Sequence, residues 1–298
     1  MNVSLNSIQQ LTQSLSQAQT QQQTFASEIS SGERLSAIGD DPVAASQNVQ
    51  WNAQIAEDNT FTQTASTTTA RMQVTDSTLG SVVDQINQAI SVATAGNNGT
   101  ENASDRASIA SQLSGIRDEV LSMANTSYSG TYLFSGSQNG AAPFSLDTST
   151  SPASVTYSGD AVVNKVMTPG GQSIATNLPG NQVFNASGAS LLGTLNALIQ
   201  GFASGNTATT TALTSQLTTA LSQVSTQRAS LDSAMTRLQS ASSYAATEKT
   251  QLVVVQTNLL QADLPTVATE LSSSTTQQSA LESVIATMEQ QGTLFDRM

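Results

Sequence analysis

Seven residues leave this chain few choices. Leu217, Val224, Leu231, Leu238, Ala245, Leu252 and Leu259 stand seven apart without interruption. A seven-residue period keeps apolar groups on one stripe of an α-helix, whereas a strand would scatter them over both faces. The spacing predicts one helix over about 207–262, ~80 Å long at 1.5 Å per residue. Such a helix suits a slender rod rather than a wide globule. The composition agrees: 38% of the 298 residues are hydrophobic, only 4% aromatic and 10% charged. A wide core needs more large apolar side chains than that.

The same three-four spacing recurs elsewhere. Near the start, Ile8, Leu15, Gln22 and Ile29 alternate with Leu11, Ala18, Phe25 and Gly32. This seam is imperfect, and its flanks are Ser, Thr and Gln with almost no Glu–Lys pairs to support a lone helix. The segment is expected to need partners to become ordered. A second helix is expected from Pro42 to about Ala95, with Leu79, Val83, Ile86, Ile90 and Ala93 as its clearest seam. The loop "AGNNGTENASD" (95–105) follows, and Ser104 or Asp105 can cap a third helix. That helix carries Ile109, Leu113, Ile116, Val120 and Met123, and the short loop makes an antiparallel hairpin. Further on, Leu192, Leu195, Leu198 and Phe202 mark another helix, broken at Gly205-Asn206.

Between the helices the pattern changes. "SGTYLFSGSQNG", "SVTYSGD" and "AVVNKVM" are short β-branched or aromatic runs, separated by glycine and proline turns. Four of the six prolines, Pro143, Pro152, Pro169 and Pro179, fall here. These are strand and turn signals, and they predict a small β-rich domain over 130–187.

Two breaks frame the chain. The stretch "SSGERLSAIGDDPVAAS" (30–46) interrupts the first seam. Gly32 and Gly39 permit bends, and Asp41-Pro42 reads as a helix cap followed by a proline in the first helical turn. Near the other end the heptad register slips by one residue at "ADLPT" (262–266) and resumes as Leu260, Leu264, Val267, Leu271, Leu281, Ile285, Met288 and Phe295. Pro265 there kinks or restarts the helix. The expected class is mainly α with a β insert: an elongated antiparallel helical rod with terminal coiled-coil arms. Its parts are a heptad arm and joint (1–41), rod helices (42–129), the β insert (130–187), returning rod helices (188–262) and a second heptad arm (263–298). The terminal seams most simply pair with each other and assemble with neighbouring subunits.

The two breaks carry a resemblance. "SSGERLSAIGDDPVAASQ" and "ADLPTVATELSSSTTQQSALESV" resemble the segments that join terminal helices to the rod in the flagellin family. Pro42-Val43-Ala44-Ala45-Ser46 after the acids, "DRASIASQLSGIRDEVLSMAN" (105–125) running into "SGTYLFSGSQNGAAPF" (129–144), and the ending "GTLFDRM" are similar to the family's hook–filament junction branch. The resemblance implies a structural adaptor of the bacterial flagellum, exported through the flagellar type III channel without a cleaved signal peptide. It implies a ring of subunits between the other junction protein and the first flagellins, in an extracellular location. It also implies an export chaperone on the amphipathic C-terminal helix, at Leu271, Leu281, Ile285 and Met288. The implied N-terminal assembly seam is Ile8, Leu11, Leu15, Phe25 and Ile29. The C-terminal one is Leu264, Val267, Leu271, Leu281, Ile285, Met288 and Phe295. The joint comprises Gly32, Arg34, Gly39, Asp40, Asp41, Pro42 and Pro265. Other readings are a filament flagellin, or a type III secreted binding protein that uses 130–187 for recognition.

Chemistry is sparse. There is no Cys and no His, which removes the usual nucleophile–base pairs and zinc sites. No enzyme and no cofactor is expected. Nine Lys and Arg against 21 acids give a formal charge of −12, which argues against nucleic acid. No apolar run reaches the ~18 residues of a membrane span, so no membrane insertion is expected. Asp40 and Asp41 read as helix capping rather than a metal site, Asp118-Glu119 as a solvated helix face, and Trp51 as helix packing. Arg34 stays open between a plain surface residue and a contact between subunits.

Overall fold

A computed structural model describes residues 2–34, 39, 41–99, 101–138, 140–186 and 188–295. The helices are α1 (Asn2–Ser31), α2 (Pro42–Gly96), α3 (Ala103–Ala124), the one-turn α4 (Gly180–Val183), α5 (Leu191–Ser204), α6 (Thr207–Leu260) and α7 (Leu264–Phe295). The strands are β1 (Ser127–Tyr128), β2 (Thr131–Tyr132), β3 (Phe144–Asp147), β4 (Ser154–Tyr157), β5 (Lys165–Met167), β6 (Ser173–Ala175), β7 (Asn185–Ala186) and β8 (Ala189–Ser190). The class is mainly α with a β insert. The chain forms two compact units: 57–247, and 1–56 together with 248–298. The boundaries fall inside α2 and α6 rather than at the breaks the sequence marks.

The larger unit holds the main core. Along α2 its buried stripe is Phe61, Ala65, Thr68, Met72, Thr75, Leu79, Val82, Ile86, Ala89 and Ala93, spaced four and three throughout. Val83 and Ile90, expected on this seam, lie beside it and are half-buried; Val82 and Ala89 take the central places. On α6 the ladder Leu217, Val224, Leu231, Leu238 and Ala245 is almost fully buried. One ion pair ties these two helices: the Arg228 guanidinium donates to both Asp76 carboxylate oxygens at 2.6 and 3.1 Å. Burial and the Asp76 charge push the nearby Asp232 carboxyl up, and Arg228 only partly offsets them.

Helix α3 is capped two residues before Ser104 and three before Asp105, the caps the sequence suggests. Asn102 is its N-cap, accepting from the Ser104 and Asp105 amides, while Asp105 reaches back to the Asn102 amide. Asp105 is therefore the return partner in a capping box, which is why it resembled the cap itself. Arg117 of α3 is buried and donates to Asp118, Ser114 and Asn196. Asp118 thus holds a buried guanidinium, a role beyond the solvated face expected of it. Helix α5 buries Leu191, Leu192, Leu195, Leu198 and Phe202 and ends on Gly205 at φ 73°, a conformation glycine adopts without strain.

The insert is four separate antiparallel hairpins, β1–β2, β3–β4, β5–β6 and β7–β8, rather than one sheet. Two-stranded ribbons are marginal alone. Here an aromatic cluster links β3–β4 to the segments after β2 and before β7: Phe134 meets Phe184 edge-on at 5.0 Å, and Phe144 lies 5.4 Å from Phe184 and 4.9 Å from Tyr157. The Tyr157 hydroxyl donates toward the carbonyls of Phe134 and Asp160.

Candidate functional site

The smaller unit contains the features the sequence singled out. Its arm is the pair α1 and α7, which approach closely along their length. Both helices leave the same joint, so they run antiparallel. The inward face of α1 is Ile8, Leu11, Leu15, Ala18, Gln22 and Phe25; that of α7 is Val267, Leu271, Ser274, Gln278, Leu281, Ile285 and Met288. Both stripes keep three-four spacing, as an antiparallel coiled coil requires.

The register is anchored at the centre, where the Ser274 hydroxyl donates to the Ala18 carbonyl at 3.3 Å. Both residues are nearly inaccessible, Ala18 at 3% and Ser274 at 5%. Small residues facing each other explain the close approach. Counting outward, Leu15 faces Gln278, Gln22 faces Leu271, and Phe25 faces Val267. The arm's centre is therefore polar or small, with apolar layers on either side. The Gln22 Nε2 is buried and has no hydrogen-bond partner among the described residues.

Most expected seam residues lie on this interface. Two are more exposed than the rest, Ile29 at 37% and Leu264 at 44%, where the helices reach the joint. The Phe295 side chain lies outside the described residues. Ser274 and Gln278 are interface positions that the sequence concealed, because neither is apolar.

The joint is held by main-chain bonds. Gly32 does not continue the core seam. It terminates α1 at φ 73° with nothing near its missing Cβ, so the glycine serves backbone conformation and not close packing. Beyond it, the chain pairs with the linker between α6 and α7. Ala262 donates to the Gly32 carbonyl at 2.9 Å and Arg34 donates to the Leu260 carbonyl at 2.7 Å, flanking an antiparallel bridge between Glu33 and Gln261. The Arg34 guanidinium reaches Asp41 Oδ2 at 3.3 and 3.4 Å and the Leu259 carbonyl at 3.4 Å. Arg34 thus contacts two other segments of the joint, at Asp41 and at Leu259.

Two helix starts leave this joint. Asp41 caps α2, accepting from the Ala44 amide at 3.0 Å, with Pro42 at the first helical position. The Ala44 amide first, and then Arg34, hold the Asp41 carboxyl below the usual carboxylate range. Asp263 precedes α7: its carbonyl accepts from the Val267 amide at 2.9 Å, and its carboxylate accepts from the Thr266 hydroxyl at 2.7 Å rather than from a helix amide. Pro265 sits in the first turn of α7, where no donor is missed, so it restarts the helix and does not kink it. Gly39 is exposed, with open space around it; Asp40 lies outside the described residues. No cluster of three metal-binding side chains occurs among the described residues.

The flagellin resemblance holds: residues 3–139 match the family model described as bacterial flagellin N-terminal helical region. Within that class the likeness is to hook-associated protein 3. A flagellar hook-associated protein 3 of Escherichia coli (strain K12) is 29% identical over 179 residues, 60% of this chain and 55% of that protein. The chain thus matches about half the length of that relative. Among solved structures, a flagellar hook-associated protein from Vibrio parahaemolyticus superposes with a TM-score of 0.66 at 18% identity, covering 74% of this chain and all of that one. The flagellar junction protein FlgL from Legionella pneumophila gives 0.58 at 14% identity, covering 74% and 100%. The fold is shared with flagellar proteins of this kind.

Proposed function

We propose that this chain is a structural adaptor of the flagellum, forming a ring that joins the hook, through the other junction protein, to the flagellin filament. The observation that carries the reading is the α1–α7 arm, two paired helices that leave a backbone-paired joint. Two amphipathic helices with a polar centre and few charges make a weak pair alone and a good component of a larger bundle. The likeness to hook-associated protein 3 supports a place in the flagellum, and in this reading that place is extracellular.

The arm also bears on export. An export chaperone holding the apolar face of α7 takes Val267, Leu271, Leu281, Ile285 and Met288, the same face that α1 covers. In this reading α7 holds α1 or the chaperone, never both. The chaperone keeps the arm open until secretion, and release lets it close. Arm closure then accompanies assembly on the hook.

The test is electron microscopy of a null strain. The expected result is hooks without filaments, with unpolymerised flagellin in the medium. Normal filaments in that strain would overturn the proposal.

A further inference from the structure

The polar layers of the arm do not match across its two helices. Gln22 buries its Nε2 in the arm, and that donor has no acceptor among the described residues. A donor buried in this way loses its hydration and gains nothing in return. With Ala18 opposite Ser274, Gln22 falls opposite Leu271 and Leu15 opposite Gln278. Each glutamine thus meets a leucine. Gln278 is better supplied than Gln22, because its amide nitrogen donates to Glu282 of its own helix at 2.8 Å. The nearest acceptor on the α7 stripe that Gln22 does not face is the Ser274 hydroxyl, one layer away.

Sliding α1 one helical turn away from the joint corrects the mismatch. Gln22 comes opposite Ser274, and Gln278 comes opposite the small Ala18. Leu15 then faces Leu281, Leu11 faces Ile285, Ile8 faces Met288 and Phe25 faces Leu271, so apolar layers meet apolar ones. Ile29, 37% exposed in the present register, comes opposite Val267. The opposite slide is no remedy: it sets Gln22 against Val267 and Leu11 against Gln278, leaving both glutamines on apolar groups. Either register keeps the three-four stripes in contact. A slide of one turn, about 5 Å, is a known way for one packed helix to switch past another. Three bonds oppose it here. One is the Ser274 hydroxyl to the Ala18 carbonyl. The others are the joint's main-chain bonds, from Ala262 to Gly32 and from Arg34 to Leu260.

We infer that the arm has two registers one helical turn apart, the first latched by the joint and the second favoured by Gln22. In the second, the tip of α1 stands about 5 Å further from the joint. The chain has no cysteine, so an introduced pair reports the register cleanly. Ala18→Cys is combined in turn with Ser274→Cys, Gln278→Cys and Leu271→Cys in the full chain. Each double variant is purified, diluted until only links within one copy form, and oxidised mildly. The Ser274 pair reads the present register and should link. Gln278 and Leu271 lie one layer to either side of Ser274, and only the outward slide brings Gln278 to Ala18. The Gln278 pair should therefore link well above the Leu271 pair. Adding Gln22→Leu should abolish that excess and leave the Ser274 pair linked. Linking by the Gln278 pair equal to or below that of the Leu271 pair, or an excess that survives Gln22→Leu, would overturn the second register. Failure of the Ser274 pair to link would overturn the pairing of the arm itself, and this inference with it.

Discussion

The centre of the arm offers the sharpest mechanical test. Ala18 faces Ser274, both are almost wholly buried, and the Ser274 hydroxyl bonds the Ala18 carbonyl at 3.3 Å. Ala18→Leu adds three heavy atoms where the helices meet, and α1 and α7 must separate to admit them. Overpacking of this kind costs about 1–3 kcal/mol. At about 1.4 kcal/mol per tenfold change, the opening equilibrium of the arm should rise roughly 5- to 150-fold. Amide hydrogen exchange reads that change directly, because local opening is reported segment by segment. Protection in α1 and α7 should fall by that factor while 57–247 stays unchanged, since distant sites behave independently. Gln17→Leu, one position away on the exposed face, is the control and should change little. Unchanged protection in α1 and α7 would refute the pairing, and an equal loss in the larger unit would refute its independence.

Three other outcomes follow from the structure. Leu231→Ala, on a fully buried rung, should lower stability by about 2–5 kcal/mol in chemical denaturation, and Leu252→Ala, on a half-buried rung, by distinctly less. The Asp232 carboxyl is raised, so its ionised form costs stability above that raised value and the cost vanishes as pH falls through it. Asp232→Asn should therefore raise the melting temperature at neutral pH, with the gain disappearing in acid. The Asp41 carboxyl is lowered, so its contribution is complete above the ordinary carboxylate range and lost as pH falls through the folded value. Carboxyl titration by NMR should place Asp41 below a free aspartate, and Arg34→Ala should move it back only partway, because the Ala44 amide remains.

How much of this was legible depended on what each position had to be. The α6 ladder was plain because its rungs are Leu, Val and Ala. The α2 stripe was harder, since Thr68 and Thr75 occupy inward rungs and Ala65 and Ala89 carry little apolar weight; Val83 and Ile90 looked stronger yet lie off the line. In α7 the arm's central contact falls on Ser274, small enough for close approach and polar enough to hide it from any search for apolar periodicity. Both breaks were visible through Gly32, Asp41, Pro42 and Pro265. The joint's binding was not, because main-chain bonds between Gly32–Arg34 and Leu260–Ala262 leave no side-chain signature. Arg34 looked free to bind a neighbour. Only the fold shows its bonds to Asp41 and the Leu259 carbonyl. Val253, Val254 and Val255 of α6 are exposed. They were written in the sequence as "LVVVQ", but exposure is a property of packing, and the ladder around them read as continuous core.

The most direct test of the account removes the arm. A chain lacking residues 1–34 and 261–298 is purified and placed in the null strain. Hydrogen exchange within 57–247 should match that of the full chain, and no filaments should grow. Filaments on the hooks, or loss of protection throughout 57–247, would contradict it.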